Sequence, residues 1–287
     1  MKQLLAFFLF VCFAVTAAGH GKCLDRLPMP SNGGDSISVL RAVSAVGYPT
    51  DPVEQFKLGS RYYNGDGVAQ DYSKAVYWFG KAAEQGLADA QYNLGVFYVA
   101  GWGVPQDYAK AAYWYGKAAG QGHADAQNNL GYCYAAGLGV DLDYSQAVYW
   151  YRKAAEQGDA DAQYNMGVCY ENGQGVDKDY AKAVCWYRKA AEQGDAEAQY
   201  NMGVCYENGQ GVDKDYAQAV CWYRLAAEQG LADAQFNLGV CYYKGLGTSK
   251  DKAQAIYWFE KVAGQGGENA KTALDEVKGQ PSSYWNE

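Results

Sequence analysis

Only two of the 287 residues are histidine, and no Cys-x-x-Cys pair occurs anywhere. His20 lies near the start of the chain and His123 falls between two helical stretches, so a histidine-centred catalytic dyad or triad has no partner set. Zinc ligand spacing is missing as well. A basic excess is also lacking: 24 Lys and Arg face 32 Asp and Glu, a net charge of −8. Phosphate backbones require clustered positive charge, so nucleic acid is excluded as a partner class. Beyond the first 19 residues no apolar run is long enough to span a bilayer.

Those first 19 residues carry Lys2, an apolar stretch from Leu4 to Val15 and then Thr16-Ala17-Ala18, the pattern of a cleavable signal peptide. The expectation is a periplasmic or secreted protein whose mature form does not insert in the membrane. Loss of Lys2 with the signal makes the mature chain slightly more acidic.

What the chain has in abundance is repetition. Gly95, Gly131, Gly167, Gly203 and Gly239 share one column at a spacing of 36 residues, and Trp78, Trp114, Trp150, Trp186, Trp222 and Trp258 share another. No insertion or deletion interrupts the period. A fixed period of this size marks an array in which each unit buries its apolar face against its neighbours. In the unit that starts at Ala160, the residues Ala162, Met166, Cys169 and Tyr170 form a helical stripe. Gly173-Gln174-Gly175 ends it, Asp179 caps the next helix, and Ala183, Trp186, Tyr187, Ala190 and Ala191 form that helix's buried face. Each unit therefore reads as a helical hairpin.

Leu94-Gly95-x2-Tyr98 followed by Ala111-x3-Tyr115, with Gly-x-Gly-Val in the hairpin loop and Lys-Ala-Ala-Glu-Gln-Gly closing the second helix, is similar to the Sel-one-like branch of the tetratricopeptide-like repeats. The resemblance covers residues 52 to 266. It implies an all-α, right-handed α/α superhelical solenoid with terminal capping helices, serving as a non-catalytic adaptor for protein partners. The organisation expected is a signal peptide at 1–19 and an irregular segment with a covering helix at 20–51. Repeats follow at 52–87, 88–123, 124–159, 160–195, 196–231 and 232–267, then a capping helix at 268–278 and a disordered tail at 279–287.

Candidate ligand residues are those on the outward columns of each first helix: Tyr92, Asn93, Asn128, Asn129, Tyr132, Tyr164, Asn165, Glu171, Tyr200, Asn201, Glu207, Phe236, Asn237 and Tyr243. Asparagine amides hold peptide backbone bidentately, and aromatic rings add contact area at little entropic cost. The aromatic members equally suit packing against the next unit. A protein or peptide ligand held on the concave first-helix surface is the function expected. Cell-wall peptide or glycan is the alternative ligand, and a β-lactam-hydrolysing enzyme a weaker one.

Ser249-Lys250-Asp251-Lys252 spells Ser-x-x-Lys, but Ser-Asp-Asn and Lys-Thr-Gly are lacking. Over their first 35 positions the units that start at Ala160 and Ala196 differ only at Asp161/Glu197, Lys182/Gln218 and Lys189/Leu225, which argues against a unique catalytic site. No catalytic residue, metal site or cofactor is expected. The Asp-x-Asp pairs, such as Asp177 and Asp179, suit helix capping better than calcium. The cysteine columns leave three arrangements open in an oxidising compartment: Cys185–Cys205 with Cys221–Cys241 between units, Cys169–Cys185 with Cys205–Cys221 within units, or free thiols filling space.

Overall fold

The computed structural model describes residues 49–286, and these form thirteen α-helices with no strand among them. The expected signal peptide and the expected covering helix before residue 49 lie outside the described residues. The helices are α1 (Pro52–Asn64), α2 (Tyr72–Glu84), α3 (Ala88–Ala100), α4 (Tyr108–Gly120), α5 (Ala124–Ala136), α6 (Tyr144–Glu156) and α7 (Ala160–Asn172). They continue with α8 (Tyr180–Glu192), α9 (Ala196–Asn208), α10 (Tyr216–Glu228), α11 (Ala232–Lys244), α12 (Lys252–Gly264) and α13 (Glu268–Gly279), and a short 3-10 turn follows at Ser282–Asn286. They fall into two compact units, one ending at His123 and one beginning at Ala124. In each unit every helix packs on the next one in sequence, the arrangement of a helical-repeat solenoid.

The local causes repeat with the sequence. Asp71 and Asp107 in the first unit, and Asp143, Asp179, Asp215 and Asp251 in the second, cap the second helix of each pair by accepting backbone N–H bonds. An acceptor at this position satisfies donors that the first helical turn leaves open. The hairpin loop depends on its paired glycines. Gly173 adopts φ +71° and receives the end of α7, and Gly175 adopts the same φ. A side chain on Gly175 would strike the carbonyl of Tyr144 at the start of α6. The second glycine thus lets the loop of one repeat lie directly on the preceding repeat's second helix.

Within a pair, the two helices meet where a glycine faces a ring. A Cβ on Gly203 would stand 2.5 Å from Tyr223, one on Gly131 2.7 Å from Tyr151, and one on Gly95 in the first unit 2.6 Å from Tyr115. Tyr187 and Tyr223 are fully buried as a result. Beside each ring sits a row of alanines, Ala183, Ala190 and Ala191 in α8 and their equivalents, also buried. Burying such a ring contributes about 1.5–3 kcal/mol, and every repeat supplies one. The tryptophan column is less deeply buried than a core column: Trp78 and Trp258 are buried, whereas Trp114, Trp150, Trp186 and Trp222 are half-buried at the edge of their clusters.

A buried glutamine in each repeat was not anticipated. Gln163 Nε2 donates to the Ala155 carbonyl at 3.1 Å and Gln163 Oε1 accepts from Gln193 at 2.8 Å. The same pairing joins Gln157 to Gln127, Gln229 to Gln199 and Gln265 to Gln235 in the second unit, and Gln121 to Gln91 in the first. Each buried glutamine ties the start of its own repeat's first helix to the turn that closes that repeat, so its buried amide is satisfied.

Within residues 279–287, expected to be a disordered tail, Ser282–Asn286 forms a 3-10 turn, and the Tyr284 and Trp285 rings pack against Tyr243 of α11. The six described cysteines are free thiols in the structure, the third of the three arrangements left open. Cys133, Cys169, Cys205 and Cys241 are buried free thiols, and Cys185 and Cys221 are exposed free thiols. Equal distance from a turn sets height along the helix pair but not direction around the helix. Cys185 and Cys221 occupy the column of the exposed Tyr149 and Tyr257, facing away from the buried thiols.

Candidate functional site

The first helices of the second unit, α5, α7, α9 and α11, present the candidate columns. Their rings lie over the rings of the second helices: Tyr164 over Tyr187 with centroids 5.8 Å apart, Tyr200 over Tyr223 at 5.8 Å and Phe236 over Phe259 at 5.4 Å. Tyr164, Tyr200 and Phe236 remain half-buried, so one side of each packs and the other reaches solvent.

The asparagines are not idle between those rings. Asn165 Nδ2 donates to Asn128 Oδ1 at 3.0 Å, Asn201 bonds Tyr164, and Asn237 bonds Tyr200 and Tyr223. Asn129 and Tyr132 are half-buried on the same helix face of α5. The amides expected to be held ready for a ligand are therefore partly engaged, each bonded to the neighbouring repeat or to a ring below it. In place of loose amides the structure has a hydrogen-bonded strip, which fixes side-chain positions before any ligand arrives.

Two carboxylates complete the strip. Tyr187 Oη donates to Glu171 at 2.6 Å, and Tyr223 Oη donates to Glu207 at 2.5 Å. Burial first, and then the adjacent Glu171, pushes the Tyr187 hydroxyl well above the ordinary range. Burial also raises Tyr200 to about 12, with Asp233, Glu197 and Glu207 adding to the shift. The negative surroundings follow from charge segregation. Helices α5, α7 and α9 contain Asp125, Asp161, Glu171, Glu197 and Glu207 but no Lys or Arg, whereas Arg152, Lys153, Lys182, Arg188, Lys189 and Arg224 sit on the second helices.

Tyr243 departs from this arrangement. It is buried, donates to Glu276 of α13 at 2.8 Å and accepts from Gln280 at 3.0 Å. In the first unit, Tyr92 and Asn93 are buried, and Tyr92 stacks on the His123 ring at 4.7 Å. His123 Nε2 lies 3.4 Å from Asp89, which holds the Asp89 carboxyl below its usual range.

The remaining chemistry is separated. Ser249 is exposed in the loop before α12 and Lys252 opens that helix. No group of three or more His, Cys, Asp or Glu among the described residues is arranged to hold a metal ion. No described helix is long and apolar enough to cross a membrane.

Sequence reasoning missed an exposed column on the second helices. Tyr77 and Tyr113 in the first unit, and Tyr149 and Tyr257 in the second, are largely exposed. Each meets the following tryptophan edge to face at 4.9–5.0 Å. The position directly before the Trp column was the available signal.

Six consecutive matches to the Sel1 repeat cover residues 55–87, 88–123, 124–159, 160–195, 196–231 and 232–267. Among solved structures, the fold is similar to c5321, a protective antigen of uropathogenic Escherichia coli with an SLR fold, at 39% identity and a TM-score of 0.80. That match covers 85% of this chain and 52% of the antigen, so the chain spans about half of that protein's length. A Sel1 repeat protein from Oxalobacter formigenes is similar at 38% identity and a TM-score of 0.74, covering 85% of this chain and 70% of that one. No curated protein matches at a comparable level. With every hairpin from residue 55 to residue 267 accounted for by one repeat pattern, the chain belongs to the Sel1 repeat family.

Proposed function

We propose that this protein is an exported, non-catalytic adaptor that holds a protein or peptide segment on the first helices of its second unit. Sel1 repeats generally mediate protein interaction, and the near-identity of neighbouring repeats here offers a recurring surface instead of a single cleft. The observation that carries the reading is the strip itself: half-buried Tyr164, Tyr200 and Phe236 alternate with asparagines and with the carboxylates Glu171 and Glu207. Rings give area, amides read a backbone, and the absence of Lys and Arg from α5, α7 and α9 selects a partner with basic groups. Export rests on the apolar segment with its small-residue site at residues 1–19.

Affinity capture with the mature chain and with an Asn129→Ala, Asn165→Ala, Asn201→Ala variant tests the surface. The variant should retain its helical spectrum and lose the captured partner about ten-fold or more, and the capture should weaken as salt rises. Equal recovery of the same partner by both proteins would place binding elsewhere. N-terminal sequencing of the protein from a periplasmic or culture fraction should begin shortly after residue 18; an intact Met1 there would remove the export reading.

A further inference from the structure

The segment after α13 sits on the last repeat through contacts of the kind a bound peptide makes. The Tyr284 ring lies 5.3 Å from the Tyr243 ring, and the Trp285 ring lies 5.8 Å from it. Lys250 Nζ donates to the main-chain carbonyl of Tyr284 at 3.0 Å and stands 4.3 Å from the centre of its ring. Lys252 Nζ is 5.8 Å from the Trp285 ring. The Tyr284 hydroxyl donates to the Tyr243 carbonyl at 3.2 Å.

Tyr243 follows Phe236 by seven residues, two helical turns, so both lie on one face of α11. It also continues the column of Glu171 and Glu207. The segment therefore covers the end of the strip assigned to the partner. Its fit is incomplete: the Trp285 indole N–H is buried without a hydrogen-bond partner among the described residues. A competing segment that satisfied a donor there would gain what this one forgoes.

We propose that residues 282–286 are a resident self-ligand, and that Tyr243, Lys250 and Lys252 form a site for an aromatic-bearing peptide segment supplied by a partner. Two tilted ring contacts on Tyr243, two cations over ring faces and one bond to a main-chain carbonyl identify the ligand as polypeptide with adjacent aromatics. The resident segment holds the site because its tether gives it an effective concentration in the millimolar range. A partner must displace it, so the segment sets a threshold for engagement. This inference rests on the reading of the first-helix strip as the partner surface.

The probe is a labelled, end-blocked peptide Ser-Ser-Tyr-Trp-Asn-Glu, followed by fluorescence anisotropy. A full-length Tyr284→Ala, Trp285→Ala variant should bind it at least about ten-fold more tightly than the unaltered chain. Adding Lys250→Ala to that variant should reverse the gain. A folded double variant that binds the probe no better than the unaltered chain, up to about 1 mM, overturns the proposal.

If the double variant does not fold, hydrogen exchange at residues 282–286 of the unaltered chain, with and without about 2 mM probe, decides instead. Faster exchange with probe supports displacement and unchanged exchange overturns it. Asn129, Asn165 and Asn201 are not among the segment's contacts. Capture lost in the asparagine variant alongside a silent probe would therefore sink this inference and leave the proposed function standing.

Discussion

Repeats four and five differ from the sixth at two positions that face each other. In the former, Tyr187 and Tyr223 fill the glycine-lined gap and hand their hydroxyls to Glu171 and Glu207. In the latter, Phe259 fills the same gap, and the carboxylate position is taken by Tyr243, which bonds Glu276 of the helix beyond. The first repeat makes the same two exchanges, with Phe79 against Gly59 and Tyr63 packed on Trp102 at 5.7 Å. Repeats four and five keep this polar link within the hairpin, so their outward faces are left for a partner. The sixth repeat turns that link outward, and Tyr243 becomes a platform for α13 and its following turn, whereas Tyr63 of the first repeat meets the loop tryptophan of the next repeat.

The largest expected effect should not distinguish the two regions, because both rest a loop glycine on the preceding helix. Alanine at Gly211 would require φ +73° and would approach Ala181 N to 2.8 Å, and alanine at Gly247 would approach Ala217 N to 2.6 Å. Left-handed strain of about 1–2 kcal/mol and overpacking of about 1–3 kcal/mol act together at both. Gly230→Ala has the strain, at φ +96°, but open space around it, so it should lose only about 1–2 kcal/mol. Urea midpoints of the three variants measure the difference. Similar losses at all three would mean that loop docking contributes nothing beyond backbone conformation.

A smaller effect should separate the regions. Tyr223→Phe makes an interior repeat resemble the last one at one position while leaving Glu207 half-buried without its donor. The loss should be about 1 kcal/mol. Glu207→Tyr combined with Tyr223→Phe reproduces the end-repeat pair and should recover part of it, as expected for side chains in contact. Additive losses in that double-mutant cycle would show that the hydroxyl and the carboxylate are not an energetic pair.

Much of this was legible beforehand because it is periodic. The glycine column, the Gly-x-Gly loops, the Asp179 cap and the helix after the last repeat all follow from a 36-residue register and helical spacing. Three features were not legible, for separate reasons. The buried glutamines look like surface residues by composition, and only the three-dimensional meeting of Gln163 and Gln193 shows their use. The asparagines were read as free to reach a ligand, since one sequence does not show that Asn165 already meets Asn128 a repeat away. The turn at Ser282–Asn286 is too short to carry periodicity, although the pairing of Tyr284 with Trp285 was the clue to its packing.

The cysteines give the smallest effect on stability and the sharpest separation of the two helix faces. Burial pushes the thiols of Cys169, Cys205 and Cys241 up to about 12, so at pH 8 they stay protonated and unreactive. Cys185 and Cys221 face solvent. A short pulse of iodoacetamide on the native protein at pH 8, followed by peptide mapping, should mark Cys185 and Cys221 and spare Cys133, Cys169, Cys205 and Cys241, with no change in helical content. The linkage has a definite sign. A neutral thiol favoured by the fold contributes stability in full below the unfolded value near 9, and that contribution is lost as pH rises towards 12. Labelling of the four buried thiols should therefore begin only as the array loosens across that window. Rapid labelling of Cys205 at pH 8, or protection of Cys185, would reverse the inward and outward faces on which the ring packing and the partner strip both depend.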